Sequence, residues 1–154
     1  MDVASLNLKF PVIGFTTDDD VWGFPSLQTF GVCGPRTIKD GMQDGMEIVD
    51  GDGRRFKVRS IRKLGREGFL PIWFLNSLVS TPQYRIEHEL EAMPPLLLEE
   101  IKQRVVICME AHPLYWSDDL NYEAMLGEQV ANAKACGSVA EIFEVLGLDW
   151  FASY

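Results

Sequence analysis

The chain has 154 residues, 47% of them hydrophobic, and a net charge of −9; that is enough for one ordinary hydrophobic core and too little for two comfortable domains, so a single domain over 1–154 is expected. No apolar run approaches the roughly 20 residues needed to span a bilayer, and the first residues lack a basic stretch followed by an apolar block, which points to a cytoplasmic protein with no membrane partner. Residues 1–66 carry ten Lys/Arg against nine Asp/Glu, whereas residues 67–154 carry four against fourteen; such an acidic half repels a phosphate backbone and attracts a basic protein.

Taken in chain order, residues 8–16 hold Leu8, Phe10, Val12, Ile13 and Phe15 and read as a first strand, with Pro11 placing it at an edge or bulge. Asp18, Asp19 and Asp20 make a turn, Val21, Trp22, Gly23 and Phe24 a short second strand, and Pro25 opens another turn. Residues 35–40, started by Pro35 and stopped by Gly41, read as one helical turn. The hairpin signal is stronger. Met46, Ile48 and Asp50 alternate with Glu47 and Val49, and beyond Gly51, Asp52 and Gly53 the inward Phe56 and Val58 alternate with Arg55, Lys57 and Arg59. In residues 84–93, Ile86, His88, Leu90 and Ala92 alternate with Glu87, Glu89 and Glu91, so the two charged ladders are expected to face each other across neighbouring antiparallel strands. The intervening residues 69–79 are strongly apolar, and periodicity leaves both a central strand and a buried connection open.

After Pro94 and Pro95 the period changes. Leu98, Ile101, Val105, Cys108 and His112 follow helical spacing, with Glu99 and Glu100 at the favourable positive end and Pro113 as the stop. Ser117 is expected to cap a second helix with Asp118 and Asp119 in its first turn and Tyr122, Met125, Leu126, Val130 and Ala133 as its apolar face, ended by Gly137. Ser138 and Glu141 form a capping box for a third helix with Val139, Ile142, Phe143 and Leu146 inward and Gly147 at its end. The expected fold class is α+β: an N-terminal antiparallel sheet of four to five strands (1–93) packed with three C-terminal helices (94–154).

No motif has the spacing of a catalytic, cofactor or metal site, and no catalytic residue, cofactor or metal is assigned. Asp50, Gly51, Asp52 and Gly53 open like a calcium loop, but Arg54, Arg55 and Lys57 follow where oxygen ligands are needed. Three adjacent carboxylates at 18–20 cannot all point inward, which favours a solvated turn. Cys33, Cys108 and Cys136 are odd in number, widely spaced and without a CxxC pair, and read as buried free thiols. Cys108 and His112 lie four apart on a helix, yet the apolar run around Cys108 makes an inert thiol the better reading. His88 belongs to an inward series and reads as a core or rim histidine. The run 54–66 holds seven of the fourteen basic residues but lacks interleaved exposed aromatics, so a neutralised strand face is preferred to an RNA patch. Gly65 and Gly68 mark only a turn. Tyr115, Trp116, Asp118, Asp119 and Glu123 combine amphipathic rings with acids near a helix start and are the candidate partner-binding residues; a buried Trp116 that merely staples the helix is the competing reading.

The stretch 45–58, Gly-Met-Glu-Ile-Val-Asp-Gly-Asp-Gly-Arg-Arg-Phe-Lys-Val, and the segment 138–146, Ser-Val-Ala-Glu-Ile-Phe-Glu-Val-Leu, resemble a loose group of small acidic bacterial proteins, among them immunity proteins that neutralise polymorphic or contact-dependent toxins. The resemblance implies an inhibitor that binds and occludes a basic toxin domain without a cofactor, and it transfers no functional residue. Two alternatives from other classes remain: a small enzyme or ligand binder with a pocket lined by Trp22, Trp73, His88 and His112, and an RNA-associated module using Arg55, Lys57, Arg59, Arg62 and Lys63.

Overall fold

The structure, a computed structural model, describes residues 3–66, 82–117 and 122–148. Within them the chain builds strands β1 (Val12–Phe15), β2 (Val21–Phe24), β3 (Val32–Cys33), β4 (Glu47–Val49), β5 (Arg55–Arg66) and β6 (Tyr84–Met93), joined into one curled antiparallel sheet in the order β2-β1-β4-β5-β6-β3. Its helices are α1 (Val3–Leu6), α2 (Leu27–Phe30), α3 (Pro35–Lys39), α4 (Leu98–Ala111), α5 (Tyr122–Ala135) and α6 (Val139–Val145), with a 3-10 turn at Pro113–Tyr115. The class is α+β, as expected, with six described strands instead of four to five and short helices in the first half beside the three at the end.

The differences have local causes. β3 is only two residues long, too short to show a period, and it pairs Val32 with Arg85 and Cys33 with Tyr84 at the tip of β6. α2 carries a box in which Ser26 Oγ accepts from Thr29 N at 3.2 Å and Thr29 Oγ1 from Ser26 N at 3.1 Å; threonine fills the place usually searched for Glu or Gln. The first strand starts at Val12 and not at residue 8, because Lys9 crosses the hairpin turn: its N–H donates to Asp50 Oδ2 at 3.2 Å and its carbonyl accepts from Gly51 N at 2.7 Å. The Ser117 hydroxyl donates to Pro113 O at 2.8 Å, closing the 3-10 turn, and α5 is described from Tyr122 onward, so the helix start that Ser117 was expected to cap lies outside the described residues. In α6 Ser138 Oγ accepts from Glu141 N at 3.1 Å as expected, while the glutamate reaches one residue further back, accepting from Gly137 N at 2.6 Å.

Both faces of the sheet are packed. On one, Ile13, Phe15, Val21 and Val49 meet Ile101, Val105, Cys108 and Met109 of α4, Ala133 of α5, and Val139, Ile142 and Phe143 of α6. On the other, Val12, Trp22, Phe24, Met46, Ile48, Phe56, Val58 and Leu90 close around Val3, Leu8 and Phe30. β1, β2 and β4 are therefore covered on both sides, which is why their apolar runs do not alternate, whereas β5 and β6 are half-buried and do. The close approach of the helical layer needs Gly23: a Cβ there would lie 2.5 Å from Leu148 Cβ and 2.6 Å from the Phe143 ring.

The hairpin turn is held by one buried carboxylate. Asp50 accepts from Asp52 N and Arg54 N at 3.0 Å each and from Arg54 Nε at 2.9 Å, and the same guanidinium donates to Leu6 O at 3.1 Å and Asn7 O at 2.7 Å. This explains why an apparent calcium-loop opening carries arginine: the cation occupies the place of an ion and ties the turn to the N-terminal segment. Across the sheet–helix boundary, Glu47 is shared by Arg55 and by Arg104 of α4, whose guanidinium lies 4.7 Å from the Phe15 ring centre. Among the described residues, no helix is long and apolar enough to cross a membrane.

Candidate functional site

The basic run on β5 is engaged within the protein. Lys57 stands opposite Glu91, Ser60 opposite Glu89 and Arg62 opposite Glu87, with a register shift at Arg59. Arg59 pairs with Glu91, Arg62 with Glu87, and Ser60 Oγ donates to Glu89 at 2.9 Å. Lys63 Nζ sits 3.6 Å from the centre of the Tyr84 ring. Facing ladders were legible from alternation; the slip that replaces Arg59 by Ser60 opposite Glu89 was not. With Arg54 and Arg55 held by Asp50 and Glu47, the surface proposed for RNA is largely neutralised.

The two histidines lie apart. His88 is 2% exposed, its ring stacked on Phe30 at 3.9 Å and its Nε2 2.6 Å from Gln43 Oε1. Burial holds its pKa down from 6.5 to about 3, so the imidazole is neutral. His112 instead donates from Nε2 to Asp18 O at 2.7 Å, with Asp20 Oδ1 at 3.4 Å, and lines a different cavity. Trp22 packs beside Phe24 in the core, and Trp73 lies outside the described residues. The pocket expected to unite both histidines is thus not formed among the described residues, because β6 and the end of α4 serve opposite faces of the sheet. Nor does the Cys108 thiol hydrogen-bond to the His112 ring among the described residues: it is buried and pushed up to about 12 by desolvation, with the nearby Asp19 and Asp20 charges adding to the shift. Burial raises the Cys33 thiol to about 11 as well. Among the described residues, no three His, Cys, Asp or Glu side chains are grouped to hold a metal ion.

A different arrangement emerges at the end of α4. Tyr115 is 63% exposed and Leu114 66%, with Ile107 and Glu110 also open to solvent on the last turns of the helix. The Tyr115 ring does not swing freely, since it stacks on His112 at 5.5 Å and 26°, and His112 is in turn pinned to the Asp18 carbonyl. Residues 111–115 border a shallow groove of about 270 Å³. The His112 bond brings the acidic β1–β2 turn, Asp18, Asp19 and Asp20, beside this groove. The result is an apolar centre with a fixed aromatic and a carboxylate margin.

Of the five candidate binding residues, Tyr115 lies at that centre and Glu123 is exposed on the first turn of α5. Trp116 is 8% exposed and belongs to the core beneath the helices, so it is not an exposed anchor. Asp118 and Asp119 lie outside the described residues. Ile107, Leu114 and the Asp18–Asp20 turn were missed. Ile107 carried a usable signal, because it falls off the inward stripe of α4 and an apolar residue there must face outward. The turn carried none, its approach depending on a contact between residues 94 positions apart.

Fold and surface together define an α+β protein whose curled sheet supports an acidic helical layer with an exposed apolar patch at Leu114 and Tyr115. Scans of known families, of curated proteins and of solved structures find no match to this chain.

Proposed function

We propose that this chain is a non-catalytic protein-binding module that captures a basic partner on the Tyr115 face, in the manner of an immunity protein occluding its cognate toxin. The observation that carries the reading is Tyr115 itself: a large exposed ring, held rigid by His112, beside Leu114 and Ile107 and within a margin of carboxylates. A pre-stacked aromatic loses little conformational freedom on binding, and such rings dominate interface energetics. Charge decides the partner. The strand cations are spent inside the sheet, whereas Glu110, Glu123, Glu128 and Glu144 are exposed and enter no ion pair among the described residues. A cationic surface is attracted to such a field and its encounter rate falls as salt rises.

Co-expression with the products of the genes that flank it in the organism that encodes the chain tests the reading, one of them being expected to arrest growth when expressed alone. Wild type is expected to restore growth and Tyr115→Ala combined with Glu110→Lys to lose that protection. Growth arrest unaffected by the wild-type chain, or protection unchanged in the double variant, overturns the proposal.

A further inference from the structure

A second cavity lies on the other side of the molecule, between α1, α2 and the outer half of the β5–β6 ribbon. It is a half-open pocket of about 210 Å³ lined by Val3, Phe30, Gly31 and Ile86, with Leu27 and Leu64 half-exposed at its mouth. That is the liquid volume of about seven waters, smaller than a site for a drug-sized molecule. Its polar group is His88. Gln43 Oε1 can only accept, so His88 Nε2 carries the proton and Nδ1 keeps a free lone pair. No described group donates to Nδ1. Yet the one fully buried side-chain polar atom without a partner among the described residues is Gln129 Oε1. Nδ1 is therefore not fully covered by protein, and His88 is among the residues that line this cavity.

We propose that this cavity is a binding site for a small, largely apolar molecule bearing one hydrogen-bond donor, such as a phenol or a short alcohol, with His88 Nδ1 as the acceptor. Apolar walls supply burial, the Phe30–His88 stack keeps the acceptor in a fixed plane, and covering Leu27 and Leu64 removes apolar surface from water. Glu87 at the margin is held by Arg62 and is not available to draw in a cation. An unpaired imidazole acceptor favours a ligand with a donor over one without. The site shares no lining residue with the groove at Tyr115.

Phenol titrated into the ¹⁵N-labelled full chain and followed by NMR tests this. Saturable shifts are expected at Leu27, Phe30, Leu64, Ile86 and His88, including the His88 ring nitrogens, with toluene binding about tenfold more weakly for want of the donor. Leu64→Trp, which fills the mouth from an exposed position, is expected to abolish the shifts; Leu27→Asp, on an exposed position of α2, is expected to weaken them. Absence of saturable shifts, equal affinity for phenol and toluene, or undiminished binding in both folded variants overturns the proposal.

Discussion

Replacing His88 by glutamine should flatten the acid side of the stability profile. In the folded chain, burial keeps His88 neutral down to about pH 3, while in the unfolded chain the ring takes up a proton near its ordinary 6.5. Between these values the unfolded state binds one more proton than the folded state, so stability falls as pH falls through 6.5 and goes on falling until about 3. Down to pH 5 the loss is set by the unfolded ring alone, since the folded ring does not yet titrate. Relative to pH 7 it amounts to about 2 kcal/mol at pH 5, approaching a slope of about 1.4 kcal/mol per pH unit. Urea unfolding at pH 7, 6 and 5, followed by fluorescence, measures it. Glutamine offers an amide donor to Gln43 but cannot titrate, and taking the difference in slope cancels His112 and the carboxylates common to both proteins. Wild type should lose about 2 kcal/mol more than His88→Gln across this range. Parallel profiles would refute the claim that burial keeps His88 neutral in the folded chain.

Other changes test the scaffold and the face separately. Asp50→Ala strips the partner from three backbone N–H groups and from Arg54, and should destabilise the chain by about 3–5 kcal/mol in urea unfolding; a loss below 1 kcal/mol would remove the clamp from the account. Gly23→Ala drives a methyl against Leu148 and Phe143 and should lose about 1–3 kcal/mol by overpacking, which thermal unfolding reads. Tyr115→Ala, in contrast, should change stability by less than about 0.5 kcal/mol, as for exposed residues outside the core. All three cysteines are buried, with thiol pKa values raised by desolvation. They should therefore react with a thiol reagent such as DTNB only as the chain unfolds, and a fast native phase would contradict that packing.

What the sequence discloses depends on how many faces of an element are buried. β5 and β6 lie half in water, so Phe56, Val58, Ile86 and Leu90 alternate with charges and both the hairpin and its glutamate neighbour can be read directly. β1 and β2 are covered on both sides, and nothing in Val12, Ile13 or Val21, Trp22 says which face each side chain joins. Helix starts are legible when the capping side chain is local, as at Ser138. The same residue type also closes turns, as the Ser117 hydroxyl does at Pro113 O. The proposed docking face is the hardest case. Tyr115 stood out as a large amphipathic ring, but Trp116 beside it has the same chemistry and turns inward, and the Asp18–Asp20 turn joins the face only through the fold of the whole chain.

The central claim is that the Tyr115 face binds a basic protein, and affinity capture from cells of the encoding organism tests it most directly. Wild-type chain, Tyr115→Ala and Leu114→Asp are immobilised in parallel at low salt, and the retained proteins are weighed and identified. The account predicts one basic protein held at a 1:1 ratio by wild type, released by raised salt and missing from both variants. Retention of no stoichiometric partner, or equal retention by all three chains, would contradict it.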